Sequence, residues 1–516
     1  MGGNRSRTTL GVVPATFHIE NFGCRAARAD GEAVAERLRS MHGMEPAQDA
    51  DVVIVNTCSV TAEADREARA FIRRTHRQNP GAKIVATGCY AQRAPEELAG
   101  LEGVAAVVGN SHKALVPEIA GGLARGLARD SVAAGLVSTA SLLAGGALVL
   151  ADESFAHSFL EEAQVMPGAQ TRPNLKIQEG CGNRCSFCVI PQTRGRSRSL
   201  PAEMVLPQVK GFVAAGGKEL VFSGINLGRW GRDLVKGEGS GARETWSPTH
   251  APNIGRMNRT PTTLAGLVRQ IFAETELARL RLSSIEPMDW DAELIELMAE
   301  FGGPARTIDA GGLRGPGRLA RHAHLPLQSG SDAVLRRMHR RYRPWHYAEK
   351  VEQLVRAAGP ELTLGADVMV GFPGETDAEF EETMELVRLL PFGYLHLFPF
   401  SPRPGTALHA AVPMAAEVMR ERMAALRTLA AEKMRGHRER MVGCALEAIT
   451  LHTPEALAGM GRTAALTENF LPVELDGRVG ANELVRVRVT ELNGDGGLTA
   501  ETLQHRTETT VLSAVV

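Results

Sequence analysis

The stretch LKIQEGCGNRCSFC (Leu175–Cys188) decides the fold: a short strand, Leu175–Gln178, runs straight into three cysteines spaced C-x-x-x-C-x-x-C. Three thiolates on so short a loop can hold three irons of a 4Fe–4S cluster and leave the fourth iron open to chelate a small molecule. A structural zinc loop would need a fourth protein ligand. A redox pair made of Cys185 and Cys188 would leave Cys181 without a role.

Five more strand candidates follow this one: ELVFS (Glu219–Ser223), RLRLSS (Arg279–Ser284), HAHLPLQ (His322–Gln328), LTLGADVMV (Leu362–Val370) and YLHLFPF (Tyr394–Phe400). Helix-compatible segments such as Met204–Ala215, Thr263–Glu274 and Phe380–Leu390 separate most of them. Six such units predict an open, partial (β/α)6 barrel over residues 174–410, with its active face at the carboxyl ends of the strands. Those ends carry Gly224, Asn226, Ser284, Glu286, Gln328, Ser329 and Gly371, residues that admit close backbone approach or supply polar groups to a small ligand. Lys236–Thr260 and Gly302–Ala320, rich in Gly, Pro and Arg, read as inserted surface loops.

Upstream, TFHIEN (Thr16–Asn21), VVIVN (Val52–Asn56) and KIVAT (Lys83–Thr87) are strand-like, and helices are expected over Arg28–Met41 and Ala62–Gln78, the second stopped by Asn79-Pro80-Gly81. This pattern predicts a parallel-sheet α/β domain over residues 14–121. Cys24, Cys58 and Cys89 lie just past the ends of the three strands, 34 and 31 residues apart, close to the length of one βαβ unit. In a parallel sheet such positions gather at one crevice. The three thiols are therefore expected to converge on a second cluster, although three separate core cysteines are the ordinary alternative.

Residues 122–173 read as a linker or insertion. Within them Val132–Ala151 is uncharged and long enough to span a bilayer, but it is rich in Gly, Ala, Ser and Thr and flanked by Asp130, Asp152 and Glu153. Spanning would also put the two cysteine groups on opposite sides, so no membrane partner and a cytoplasmic location are expected. Residues 411–440 read as a connecting helix, and residues 441–507 turn to short β runs that suggest a small all-β barrel. Seven cysteines in 516 residues are too few for a disulfide framework.

The net charge of −1 exerts no global pull on nucleic acid. Local basic clusters do stand out: Arg66, Arg69, Arg73 and Arg77 on one helix face, Arg194, Arg196 and Arg198 after the cysteine loop, and Arg336–Arg343 after the fourth barrel strand. Together they suggest an anionic substrate such as RNA. No P-loop is present, which argues against nucleoside triphosphate chemistry.

Over nearly its full length the sequence resembles the radical S-adenosylmethionine methylthiotransferases. The resemblance rests on HIENFGC (18–24), VVIVNTCSVTAEADREAR (52–69), KIVATGCYAQ (83–92), KIQEGCGNRCSFCVIPQTRGRSRS (176–199), RLSSIEP (281–287), HLPLQSGSDAVLRRMHRRY (324–342), ADVMVGFPGET (366–376) and LHLFPFSPRPGT (395–406). The terminal module is similar to that family's TRAM domain, a small RNA-binding barrel, with TENF (467–470) its most recognisable piece. GCYAQ, SGINLGRWG (223–231) and RGRSRS look most like the branch acting on N6-threonylcarbamoyladenosine at position 37 of tRNA, beside the anticodon.

The resemblance implies two 4Fe–4S clusters. Cys181, Cys185 and Cys188 would carry the one that binds and cleaves S-adenosyl-L-methionine, with Phe187 and the strand-end residues around the cofactor. Cys24, Cys58 and Cys89 would carry the auxiliary one, whose open iron holds the sulfur to be inserted. The adenosyl radical would take hydrogen from C2 of the adenine, a second S-adenosyl-L-methionine would give the methyl group, and flavodoxin or ferredoxin would supply electrons. The stretch Val132–Ala151 and the two inserted loops have no counterpart in the family pattern. Rival readings are the same chemistry on a ribosomal-protein aspartate, the isopentenyladenosine branch, and a non-catalytic iron–sulfur RNA-binding protein.

Overall fold

The computed structural model describes residues 14–126, 146–155, 171–235, 261–303, 317–494 and 496–505. They form two compact units, divided between Ala163 and Gln164, with Val60–Ala62 counted in the second.

The first unit is one six-stranded sheet. In chain order it has β1 (Thr16–Asn21), α1 (Arg25–His42), β2 (Glu45–Pro46), β3 (Val52–Thr57), α2 (Ala62–Gln78), β4 (Lys83–Gly88), α3 (Cys89–Arg93), α4 (Pro95–Ala99), β5 (Val104–Gly109), α5 (Val116–Ala124) and β6 (Leu148–Leu150). The strand order is β2-β1-β3-β4-β5-β6, and every pairing is parallel. All six residues of β3 are buried, as expected of a central strand covered by helices on both faces. Val52 and Ile54 point into one apolar cluster with Val34 and Leu38 of α1, while Val53 and Val55 point into another with Ala68 and Ile72 of α2. Gly43 ends α1 at φ 58°, the left-handed turn that glycine makes without strain.

Three strands of this sheet, β2, β5 and β6, escape the sequence reading. The last is a correction: Leu148–Leu150 belongs to the apolar stretch Val132–Ala151 and lies beside β5, pairing Ala106 with Leu148. That end of the stretch is thus a sheet strand, and residues 132–145 lie outside the described residues. No described helix is long and apolar enough to cross a membrane.

The second unit continues with β7 (Asn174–Lys176), β8 (Gln178–Glu179), α6 (Ile190–Arg194), β9 (Arg198–Ser199), α7 (Ala202–Ala214), β10 (Glu219–Ser223), α8 (Leu264–Glu274), β11 (Arg279–Leu282), α9 (Ala292–Phe301), β12 (His322–His324), α10 (Asp332–Arg337), α11 (Pro344–Ala358), β13 (Thr363–Val370), α12 (Asp377–Leu389) and β14 (Phe392–Pro399). Parallel pairing joins β7, β10 and β11, and likewise β12, β13 and β14. A parallel bridge between Leu280 and Leu319, and the bond from Ile285 N to His324 O at 3.0 Å, join the two triplets. The result is the open six-stranded barrel. Leu319, and Arg318 whose guanidinium donates to the carbonyls of Leu277, Phe272 and Thr275, come from the end of the stretch read as a surface loop; here that reading fails. Lys236–Thr260 and residues 304–316 lie outside the described residues.

Along these strands one parity is apolar and fully buried (Leu220, Phe222, Leu280, Ala323, Leu364, Ala366) and the other carries the polar residues, Glu219, Arg279, Arg281, His324 and Asp367 among them. The apolar parity meets the helices, where Tyr347 of α11 donates to Leu325 O at 2.9 Å. The polar parity therefore lines the barrel interior. At its amino-terminal end Glu219 accepts from Arg279 at 3.0 Å and Arg281 at 2.9 Å, all three shut off from solvent. Burial would raise the Glu219 carboxyl, but Arg281, Arg279 and Arg172 outweigh it and hold it at about 2.

A long helix, α13 (Ala416–Met441), leads to a closed barrel of β15 (Ala445–Thr450), β16 (Arg462–Thr467), β17 (Pro472–Asp476), β18 (Leu484–Leu492) and β19 (Leu498–His505), in the order β15-β16-β17-β19-β18. Its TENF motif is turned toward the partial barrel: Glu468 accepts from Arg321 at 2.6 Å, Asn469 donates to Glu361 O at 2.8 Å, and Phe470 lies 4.5 Å from the His322 ring.

Candidate functional site

In the first unit the three upstream cysteines follow neighbouring strands. Cys24 caps the start of α1 after β1, Cys58 follows β3, and Cys89 opens α3 after β4. The register pairs Asn21 with Asn56 and Thr57 with Gly88, so the strand ends are level. Two glycines make the approach possible. A Cβ on Gly23 (φ 104°) would stand 2.8 Å from Cys58 Cβ, and one on Gly88 (φ 97°) would stand 2.3 Å from Thr57 O. Asn110 Nδ2 donates to Cys89 Sγ at 3.4 Å. Cys58 and Cys89 are buried, whereas Cys24 is exposed. The three cysteines thus follow level, neighbouring strand ends at one edge of the sheet.

In the second unit, Gly180 (φ 71°) brings the chain against Arg196 O, where a Cβ would sit at 2.1 Å, and Cys181 N donates to Gly195 O at 3.0 Å. Ser186 fastens the middle of the loop to α10 and its exit, its N–H on Met338 O at 3.2 Å and its hydroxyl on Arg337 O at 2.9 Å. Beneath the loop Glu179, fully buried, binds Lys176 and Arg194. Burial raises the Cys181 thiol, and pushes that of Cys188 up to about 12 with the charge of Cys185 adding to it. Thiols so placed ionise only against a cationic centre, which is the chemistry an iron cluster brings to its ligands.

Beside the loop is a residue that sequence reasoning assigned to a surface patch. Arg340 is buried; it donates to Cys185 Sγ at 3.4 Å and to Glu286 at 2.6 Å, and its plane lies 4.9 Å from the Tyr342 ring. In the run RRMHRRYR nothing about residue type separates Arg340 from the exposed Arg341. His339, at φ 57°, immediately precedes the inward-turned residue.

The strand-end residues divide into two kinds. Phe187, Ser284 and Glu286 are half-buried, and Gln328, at φ 64°, keeps a buried Oε1 with no hydrogen-bond partner. That orphaned acceptor, among groups facing the cysteine loop's end of the barrel, fits a small polar ligand. The other four are engaged within the protein itself. The Ser329 hydroxyl is sealed from solvent, 3.1 Å from Thr383 Oγ1, and accepts from Ser331 N at 3.1 Å. A Cβ on Gly371 would meet Met419 of α13 at 2.1 Å, and one on Gly224 would meet Gln178 at 2.9 Å. Asn226, with its amide oriented to satisfy both ends, donates to Asp289 and accepts from Arg229, each at 3.2 Å.

The basic clusters also thin out. Arg194 is buried on Glu179 and Arg337 binds Glu379 through both nitrogens, at 2.7 and 2.8 Å. Arg66, Arg73 and Arg77 of α2 remain exposed, as do Arg196, Arg336 and Arg341 in the second unit.

Residues 16–109 match the family described as "Uncharacterized protein family UPF0004", and residues 175–387 match the "Radical SAM superfamily". Among curated proteins, the "Threonylcarbamoyladenosine tRNA methylthiotransferase MtaB" of Aquifex aeolicus is 32% identical over 91% of this chain and 99% of its own length. The protein of that name from Bacillus subtilis is 33% identical over 76% of this chain and 75% of its own. The "tRNA-2-methylthio-N(6)-dimethylallyladenosine synthase" of Erythrobacter litoralis is 31% identical over 95% and 98%. With similarity running through both cysteine groups and the terminal barrel, the chain belongs to the radical S-adenosylmethionine methylthiotransferase family.

Proposed function

We propose that this enzyme converts N6-threonylcarbamoyladenosine at position 37 of tRNA to its 2-methylthio derivative. What supports the reading is the placement of two groups of three cysteines, one after the level strand ends of the first unit and one on the barrel loop, each of which would be one thiol short of closing a four-iron cluster. Relatives named for that nucleoside, at 32% and 33% identity against 31% for one named for the dimethylallyl product, favour that substrate.

Cys181, Cys185 and Cys188 would hold the cluster that binds S-adenosyl-L-methionine, and Cys24, Cys58 and Cys89 the auxiliary cluster. When bound, these groups supply reductive cleavage of the sulfonium and the sulfur to be inserted; the protein supplies their placement and electrostatics. Arg340 balances the charge of Cys185 and Glu286. Gln328 offers its open acceptor to cofactor or base, and the half-buried Phe187, Ser284 and Glu286 would serve the same ligand. The fully buried inner residues Glu219, Arg279 and Arg281 close the amino-terminal end of the barrel and keep water out from that side. An electron donor of the flavodoxin or ferredoxin class, and exposed arginines meeting the tRNA backbone, complete the reading.

Mass spectrometry of tRNA nucleosides from a strain lacking the gene tests it. Loss of 2-methylthio-N6-threonylcarbamoyladenosine, restored by the intact gene, is the expected result. Loss of the isopentenyl derivative instead, or unchanged tRNA alongside an unmodified ribosomal aspartate, overturns the substrate. Iron counts test the clusters separately: about eight irons per reconstituted chain, and about half after Cys24, Cys58 and Cys89 are all replaced by Ala.

A further inference from the structure

Three adjacent barrel strands each put one metal-ligand group on the inner face: His324 on β12, Asp367 on β13 and His396 on β14. Asp367 Oδ1 lies 3.5 Å from His324 Nε2 and 3.3 Å from His396 Nδ1, and the three atoms are all within 4.8 Å of one another. Among the described residues no other set of three His, Cys, Asp or Glu groups meets this condition.

Both separations are longer than the roughly 2.7–2.9 Å of a charge-assisted hydrogen bond. They match instead the edges of a coordination polyhedron with bonds of about 2.0–2.2 Å, whose neighbouring ligand atoms stand roughly 2.9–3.6 Å apart. His324 is only 7% exposed; its Nε2 stands 3.5 Å from Asp367, beyond a good hydrogen bond, and its Nδ1 has no hydrogen-bond partner. A buried imidazole held only by so long a contact is under-satisfied, and a bound ion would complete it. Toward the strands' amino ends a floor closes the site. Gly365 has no side chain, so Tyr394 lies across β13 and its hydroxyl stands 2.8 Å from His322 Nε2. His396 lies on the open side, its side chain 62% exposed.

We propose that His324, Asp367 and His396 bind one divalent transition-metal ion inside the barrel, with coordination positions left open for an oxygen ligand. Two imidazoles and one carboxylate suit zinc or ferrous iron and neither calcium nor magnesium. The site uses none of the six cluster cysteines and does not depend on which tRNA nucleoside is the substrate.

Zinc is the probe, because it is counted apart from cluster iron. Reconstituted holoenzyme is dialysed against buffered zinc, and zinc, iron and sulfide are measured per chain. One zinc is expected beyond the full iron complement, with nitrogen and oxygen scatterers and no sulfur at the zinc absorption edge. Asp367→Asn and His396→Ala should each weaken zinc binding at least ten-fold with iron and sulfide unchanged. His396 is largely in solvent, so its replacement tests the ligand without endangering the fold. No zinc uptake by the wild-type protein, sulfur in the zinc shell, or wild-type affinity in both variants overturns the site.

Discussion

Arg340 donates to the sulfur of Cys185 at 3.4 Å while its other arm holds Glu286 at 2.6 Å, so one buried guanidinium serves both a thiol proposed to hold the cluster and a carboxylate at the neighbouring strand end. Positive charge and hydrogen bonds at cluster sulfur favour the reduced state. Arg340→Met should make the barrel cluster harder to reduce, by roughly 65–130 mV for the loss of a charge-assisted bond of about 1.5–3 kcal/mol in a one-electron couple. Cleavage of S-adenosyl-L-methionine should slow in step. An electron paramagnetic resonance redox titration, done with Cys24, Cys58 and Cys89 replaced so that only this cluster is present, checks it. An unmoved midpoint would mean that the bond is not made to the liganded sulfur.

Gln328 and Ser329 are neighbours with opposite expectations. The Gln328 Oε1 has no protein partner, so Gln328→Ala should leave the unfolding midpoint nearly unchanged and raise the KM for S-adenosyl-L-methionine or for tRNA. The Ser329 hydroxyl ties its loop to α12 through Thr383 and accepts from Ser331 N. Ser329→Ala should therefore cost about 1–3 kcal/mol of stability and leave KM in place, as for any buried partner removed. Thermal melts and steady-state kinetics on the two variants separate these roles.

The residues that were legible in the sequence are those whose neighbours along the chain reveal their place. Runs such as VVIVNT (Val52–Thr57) have to be central strands, and a cysteine after each such run has to sit at the sheet's carboxyl edge. The barrel's polar interior was harder to see. Glu219, Arg279, Arg281 and His324 alternate with Leu, Phe and Ala in the pattern of a half-exposed strand, but both faces are covered. Their partners come from distant strands and, for Arg279 and Arg281, also from Glu447 and Thr467 of the terminal barrel. Residue type cannot distinguish Arg340 from Arg341, or a Ser329 pinned inside from a Ser284 left half-open. Tertiary partners decide those cases.

TENF shows the same limit. Glu468, 3% exposed, accepts from Arg321 at 2.6 Å and from its own barrel's Glu447 N at 2.8 Å. Glu468→Ala strips a partner from the buried Arg321 and leaves a backbone N–H unmet. Arg321 keeps Glu361 at 3.0 Å, so the expected cost is about 1–3 kcal/mol, that of unmet buried donors. Earlier protease cleavage near Met441 and a lower melting midpoint would show it. A variant as stable as the wild type would show that TENF does not bind the terminal barrel to the partial one.

Acid should loosen the same end of the molecule through His437 of α13. It is 1% exposed, its Nε2 stands 2.8 Å from Thr363 Oγ1, and burial, helped by Arg440 and Arg438, lowers it from 6.5 to about 4. A base whose folded value is depressed is neutral in both states above about pH 6.5, so its contribution is whole there. Below that pH the unfolded chain takes up a proton that the folded chain refuses. Stability should then fall until about pH 4, by an amount on the order of 3 kcal/mol. His437→Gln keeps a partner for Thr363 and should flatten this part of the pH profile. Subtracting the two profiles removes contributions from other groups, and identical profiles would refute the assignment.

Gly23 offers the sharpest separation of the two thiol sites. Its φ of 104° is strained for any other residue, and a Cβ there would press on both Cys58 Cβ at 2.8 Å and Cys58 Sγ at 2.9 Å. Gly23→Ala must therefore turn the Cys24 loop, move Cys58, or both. Backbone strain of this kind costs about 1–3 kcal/mol, which the rest of a six-stranded sheet can carry. The first unit should stay folded by circular dichroism while losing its auxiliary cluster. Reconstituted iron should fall from about eight to about four per chain. The barrel loop is untouched by the change, so S-adenosyl-L-methionine should still be cleaved to 5′-deoxyadenosine while methylthiolated product disappears. Full iron with full product would mean that the three upstream thiols do not form one site. Loss of both iron and cleavage would mean that the two sites are not independently assembled.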